Sequence, residues 1–217
     1  MPVNGNGIQT DNENDLSLLA AVKFGTFDAL IGGDLSGFKT ENYEDIESSV
    51  ATKVTQVEVY KVHHHGSRYS SNKTWLSAIK PRVGIISTGN GNTYNHPTEE
   101  CLDRLHAAGV KTYWTTAGNG VAPDPANDIV GGDIIVESEP NSSTFTVTYH
   151  GGADPDTYSN WESPQPPVPT QPTFSWSKNS AIYHFSSCKI VKNIKEANLQ
   201  TGNAPPTGKT LHHQCPQ

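Results

Sequence analysis

The sequence predicts an α/β layered domain followed by a small separate unit, and three observations carry that reading. Between residues 16 and 115, apolar segments of strand length alternate with segments of helical periodicity. Clusters of Asp, His, Asn and Gly stand where those strands end, which is where α/β folds place their sites. A stretch rich in Pro, Ser and Gln then divides the 217-residue chain.

Residues 16–24 and 27–31 read as strands, and the short link Gly25-Thr26 between them predicts a hairpin. Gly32-Gly33-Asp34 ends the second strand in a tight turn. Residues 43–50 form a short helix with acidic residues in its first turn. Residues 57–62 are the next strand and run into His63-His64-His65-Gly66-Ser67. Ser70-Ser71-Asn72 is a helix cap before residues 74–79. Residues 83–87 are apolar again. Cys101, Leu102 and Leu105 have helical spacing within residues 98–108, and Gly109 closes that helix in a C′ position. A strand at 111–115 follows, then a terminal hairpin from 129–137 and 143–149. Residues 118–133 read only as a Gly/Pro/Asn loop.

Composition bounds the function. Hydrophobic residues make up 34% of the chain, so a modest core carries long loops. The formal net charge of −7 offers no basic field for nucleic acid, so a phosphate substrate has to be held by metal ions or by a few local cations. Three cysteines, Cys101, Cys188 and Cys215, are too few for a disulfide scaffold, and Cys101 reads as a small core residue. No apolar run reaches the length of a membrane span, and the polar N-terminus does not resemble a signal peptide. These features suit either a cytoplasmic or an extracytoplasmic location.

Three strand-end features point to metal chemistry: Asp34, the histidine run and His96. Imidazole suits zinc, iron or manganese, and a carboxylate can bridge two divalent ions. Two such ions can activate a water and stabilise a leaving oxygen in phosphoester hydrolysis. Singly, each of these residues also fits a turn, a cap or a solvated surface.

The motifs add a resemblance. Asn14-Asp15-Leu16-Ser17-Leu18-Leu19, Phe24-Gly25 and Leu30-Ile31-Gly32-Gly33-Asp34-Leu35 form one block. Val59-Tyr60-Lys61-Val62-His63-His64-His65-Gly66-Ser67 with Tyr69-Ser70-Ser71 forms another. Pro81-Arg82-Val83-Gly84-Ile85-Ile86-Ser87 and Asn92-Thr93-Tyr94-Asn95-His96-Pro97 complete the series. In this order, over residues 14 to 136, they resemble the metallo-β-lactamase-fold hydrolase domain of ComEC-type DNA-internalisation proteins. The resemblance implies the C-terminal half of an αββα sandwich. It makes Asp34 a metal-bridging carboxylate and His64 or His65 a ligand of the second metal, with His64 preferred as first of the family's His-His pair. Zn2+ or another divalent ion such as Mn2+ would be the cofactor. Ser67 and His96 would line the phosphate pocket, with His96 a candidate for proton transfer. His63 replaces a small residue and is expected at the surface.

The family's principal metal motif, His-x-His-x-Asp-His, has no counterpart in this sequence. The expectation is therefore a partial metallo-β-lactamase-fold domain over 1–152, inactive as this chain alone. A truncated or split gene comes first; a partner chain supplying the N-terminal half and a degenerate site are the alternatives. The implied substrate is DNA or another phosphodiester.

Residues 153–173 read as a Pro-rich linker, and residues 174–217 as a unit too small to hold together without a metal or a disulfide. His184 and Cys188, then His212 and Cys215, supply the four donors of a structural Zn2+; a Cys188–Cys215 disulfide is the other possibility. Ile190, Val191, Ile194 and Leu199 offer a minimal core. The stretch is similar to small Cys/His modules appended to nucleases and hydrolases. Lys178, Lys189, Lys192, Lys195 and Lys209 give it a local positive bias. That bias supports a second functional class, a non-catalytic protein that binds nucleic acid or a partner through this module.

Overall fold

The computed structural model describes residues 4–149, 155–161, 174–186, 188–202 and 204–212. Contacts divide the chain into two units, Met1–Glu162 and Ser163–Gln217.

The first unit is built on a six-stranded sheet in simple sequence order. Strands β1 (Leu19–Phe24) and β2 (Phe27–Gly32) form the expected antiparallel hairpin, with Phe24 opposite Phe27 and Gly25 at φ 63° in the turn. Then β3 (Val59–Lys61), β4 (Val83–Ile86), β5 (Lys111–Trp114) and β6 (Asp128–Val130) add in parallel. The short helix α1 (Ile46–Val50) precedes β3, α2 (Lys73–Ile79) joins β3 to β4, and α3 (Glu99–Ala107) joins β4 to β5. Asn72 caps α2, its side-chain oxygen accepting from the Trp75 N–H at 2.8 Å, and Gly109 takes the expected left-handed position after α3 at φ 74°.

Period-two alternation sorts the strand side chains into two cores. One face carries Leu30, Tyr60, Val62, Ile86 and Trp114, packed against Trp75, Leu76 and Ile79 of α2 and Cys101, Leu102 and Leu105 of α3. The other carries Phe27, Val59, Val83 and Tyr113. It packs against Phe145 and Val147 of a separate antiparallel sheet, ordered β7 (Ile134–Ser138), β8 (Thr144–Tyr149), β9 (Asp156–Ser159). The parallel sheet is thus covered by helices on one side and by a second sheet on the other. Burial holds the Cys101 thiol at a pKa of about 11, as befits a core residue.

Two stretches differ from expectation. Residues 129–137 do not form one strand. Gly131-Gly132, with Gly132 at φ 73°, breaks the run so that β6 stays in the parallel sheet and β7 enters the other. The close approach there requires glycine, since a Cβ at Gly131 would lie 2.4 Å from Tyr149. Residues 156–159, within the stretch read as linker, form β9. The Tyr158 ring stacks on Phe145 at 5.3 Å, and its hydroxyl meets that of Tyr113 at 2.7 Å.

Glu47 of α1 is fully buried and joins three segments of the unit. Its Oε1 accepts from the Ser71 N–H at 2.7 Å and faces His63 Nδ1 at 2.8 Å; its Oε2 accepts from the Asn72 N–H at 2.7 Å. One carboxylate therefore joins α1, the start of α2 and the histidine run. His63, expected at the surface, is 0% exposed. Its ring lies 5.3 Å from that of Trp75 and edge-on to Tyr60 at 5.0 Å. A partner inside the core and an aromatic cage outweigh the polarity of the side chain.

In the second unit β10 (Phe174–Ser177) pairs antiparallel with β11 (Ile182–Phe185) and β12 (Leu199–Gly202), while β13 (Thr210–Leu211) pairs parallel with β11. Phe174 is buried, Val191, Ile194 and Leu199 are half-buried, and Ile190 is exposed, so Phe174 replaces Ile190 in the small core.

Replacing Glu47 with Ala strands three buried donors. The expected loss is about 3–5 kcal/mol of unfolding free energy, read by urea denaturation. Glu100→Ala on the exposed side of α3 should stay within about 0.5 kcal/mol. Equal effects for the two variants would remove Glu47 from its role.

Candidate active site

The parallel register sets the site. Ile31 pairs with Lys61 and Lys61 with Ile85, so β2, β3 and β4 release their following loops at one edge of the sheet. Asp34 leaves β2 through two glycines that the packing requires. A Cβ at Gly32 would sit 2.4 Å from His63 Nε2, and one at Gly33 would sit 2.6 Å from Ser17 Oγ. The Asp34 N–H donates to that same Ser17 Oγ at 2.9 Å.

After β3 the backbone makes a left-handed turn. His64 has φ 49°, His65 φ 55° and Gly66 φ 79°. Two consecutive non-glycine residues in this region cost about 1–2 kcal/mol each. The turn is closed by the Ser67 N–H donating to the His64 carbonyl at 2.9 Å and anchored by the buried His63 preceding it. The result is that His63 points into the core while His64 and His65 line the surface pocket.

His65 Nδ1 lies 2.5 Å from the Ser87 carbonyl, to which it can donate, and this turns Nε2 toward Asp34 Oδ1 at 3.7 Å. His64 Nδ1 is buried and has no hydrogen-bond partner among the described residues. Its ring lies 5.5 Å from that of His96 and 6.1 Å from that of Tyr43.

His96 belongs to the loop between β4 and α3, which is tied down by Asn92. The Asn92 Oδ1 accepts from the His96 N–H at 2.9 Å, and its Nδ2 donates to the His96 carbonyl at 2.9 Å. Gly118 and Gly120 let the next loop pass against this one; a Cβ on either would collide with the His96 or Pro97 carbonyl. Asn14, Asp34, Tyr43, His64, His65, Ser67, Arg68, Tyr69, Tyr94, His96 and Thr98 enclose a cavity of about 390 Å³. The structure thus gathers all five residues that the sequence singles out here: Asp34, His64, His65, Ser67 and His96. Arg68, Tyr43 and Tyr69 also line the cavity, and of these three the sequence motifs include only Tyr69.

Burial favours the neutral imidazole at two of these histidines, His64 and His96. Burial lowers His64, opposed by Asp34 and reinforced by His65. Burial lowers His96 to about 4, reinforced by the nearby His64 and His65 and opposed by Asp34. Neutral imidazoles at pH 7 can ligate a metal or exchange a proton. Among the described residues, no group of three or more His, Cys, Asp or Glu side chains is placed to hold a metal ion. Asp34 and His65 face each other as a pair of donors.

In the second unit the His184 and His212 rings approach to 5.0 Å and Cys188 is buried. Burial, then the neighbouring His212, lowers the pKa of His184. Cys215 lies outside the described residues.

No family model matches the chain. It is 32% identical over 100 residues to Competence protein ComA of Neisseria gonorrhoeae, covering 46% of this chain and 14% of that protein. It is 26% identical over 104 residues to ComE operon protein 3 of Bacillus subtilis, covering 48% and 13%. It is 31% identical over 99 residues to Recombination protein 2 of Haemophilus influenzae, covering 46% and 12%. The matched region thus spans about an eighth of the length of these relatives. They support a relationship to the competence proteins over roughly half of this chain. No helix among the described residues is long and apolar enough to cross a membrane.

His96 should titrate near pH 4 rather than 6.5 in a proton NMR pH series. Its folded pKa lies below its unfolded one, so the stability it contributes is complete above about pH 6.5 and declines as pH falls toward 4. A midpoint at or above 6.5 would contradict the burial of its ring.

Proposed function

We propose that this chain contributes part of a metal-dependent phosphodiesterase site of the DNA-uptake type. The observation that carries the reading is the convergence of Asp34, His64, His65 and His96 on one pocket at the strand ends. The relatives named for competence and recombination support a DNA substrate.

Asp34 and His65 would hold the ion. Between the two pocket histidines, His65 fits a ligand better than His64. Its Nδ1 is fixed on a backbone carbonyl, the second-sphere contact that orients metal-bound imidazoles. His64, Ser67 and Arg68 then face the phosphate, with His96 as a neutral proton donor or acceptor beside it. A divalent ion such as Zn2+ or Mn2+, if held there, would supply positive charge beside a phosphoryl oxygen and would make a water more acidic. Two protein donors fall short of the full ligand set such chemistry requires, so no catalytic step is assigned to this chain alone. The other ligands are those of the His-x-His-x-Asp-His motif that the resemblance implies, brought by a further polypeptide segment.

Mn2+ titration followed by electron paramagnetic resonance tests this. One weak site is expected in the wild type, weakened at least about tenfold in Asp34→Asn and in His65→Ala and unchanged in His106→Ala. If Asp34→Asn and His65→Ala take up Mn2+ like the wild type, the pair is not a metal site.

A further inference from the structure

We infer that Tyr94 is a base-stacking platform that makes this pocket selective for unpaired nucleotides. The inference deepens the phosphodiester reading above and rests on it.

Tyr94 is 77% exposed, the most exposed aromatic side chain among the described residues, whereas Tyr60, Trp75, Tyr113 and Trp114 are fully buried. Mobility does not explain this exposure, because the loop beneath the ring is pinned. Besides the two Asn92 bonds to His96, the Asn119 N–H donates to the His96 carbonyl at 3.1 Å, and Asn119 Nδ2 donates to the Asn92 carbonyl at 2.9 Å. Asn95 adopts φ 58° next to Tyr94. The fold holds a flat apolar face in water at the rim of a polar pocket.

That face is aligned with the pocket. The Tyr94 ring lies nearly parallel to His96, at 19° and 5.9 Å between centroids. On another wall, Tyr43 and Tyr69 pack at 4.9 Å. The same cavity is lined by Ser67 and Arg68, donors suited to a phosphate. A nucleotide whose phosphate enters the cavity brings its base against an aromatic wall.

The charge balance favours this mode of binding. With a net charge of −7, the chain cannot hold nucleic acid by a broad electrostatic field. Stacking is an alternative source of affinity that needs no charge, and it accepts any base because every base has a π-face. Bases within a duplex are already stacked on their neighbours, so a single strand or a splayed end presents the required face. A cavity of about 390 Å³ also suits one nucleotide and is far too small for a duplex.

The test is fluorescence anisotropy with the full chain and three probes: a labelled thymidine 12-mer, the same backbone with abasic residues, and a duplex of equal length. The wild type should bind the thymidine strand more tightly than the abasic strand or the duplex. Tyr94→Ala should lower thymidine affinity about tenfold, toward the abasic value, and Tyr94→Phe should retain it. Because Tyr94 is exposed, an unchanged melting temperature is expected for both variants. Equal binding of thymidine and abasic strands by the wild type, or no effect of Tyr94→Ala, overturns the stacking role and leaves the phosphodiester reading standing. If the wild type binds neither strand, the phosphodiester reading itself fails.

Discussion

The structure around the pocket depends on one buried carboxylate. Glu47 receives His63, the Ser71 N–H and the Asn72 N–H on its two oxygens. These contacts fix the residue before the left-handed turn and the residues that open α2. With both flanks fixed, His64 and His65 adopt positive φ values that an unconstrained chain rarely takes. Asn72 doubles as the α2 cap and donates to the Gly37 carbonyl at 2.7 Å. The segment after β2 is therefore bound to the same hub. Strain in the turn is offset by hydrogen bonds in the core, an arrangement in which a site is held by elements that do not themselves reach the substrate.

The parallel sheet supplies the rest. Strands in register end together, so Asp34, the histidine turn and the Ser87 carbonyl meet although they are separated by tens of residues. Ser87 connects two of these ends, since it fixes the tautomer and direction of His65. The Asn92 loop is a third, self-braced element that brings His96 and Tyr94 to the same edge. Glycine is required where these pieces touch: Gly32 beneath His63, and Gly118 and Gly120 beneath the His96 and Pro97 carbonyls.

Much of this was legible in the sequence. Apolar segments of strand length predict the first hairpin and the alternation of strands with helices, Asn72 and Gly109 mark helix ends, and the motifs contain Asp34, Ser67 and His96. What was hidden depends on tertiary contact. Nothing in the run His63-His64-His65 says which ring turns inward; the buried Glu47, an ordinary acid in a short helix, decides it. The preference for His64 as ligand followed motif position, whereas the direction of His65 depends on a carbonyl 22 residues away. Residues 156–159 looked like spacer because four polar and aromatic residues have little signal of their own; Phe145 and Tyr113 give Tyr158 its place. The glycines of 118–120 read as loop, although they shape the floor under His96.

The proposed function requires the His64-His65 turn and His96 to act as one phosphodiester pocket. The most direct measurement is the set of histidine side-chain 1H–15N NMR correlations during titration with the dinucleotide pTpT. The imidazole resonances of His64, His65 and His96 are expected to move together along one binding curve. Those of His63, enclosed with Glu47, and His106, bonded to Asp128 at 2.7 Å, should stay in place. Shifts confined to His106 or to the histidines of the second unit, or no saturable shift at the pocket, would contradict that function.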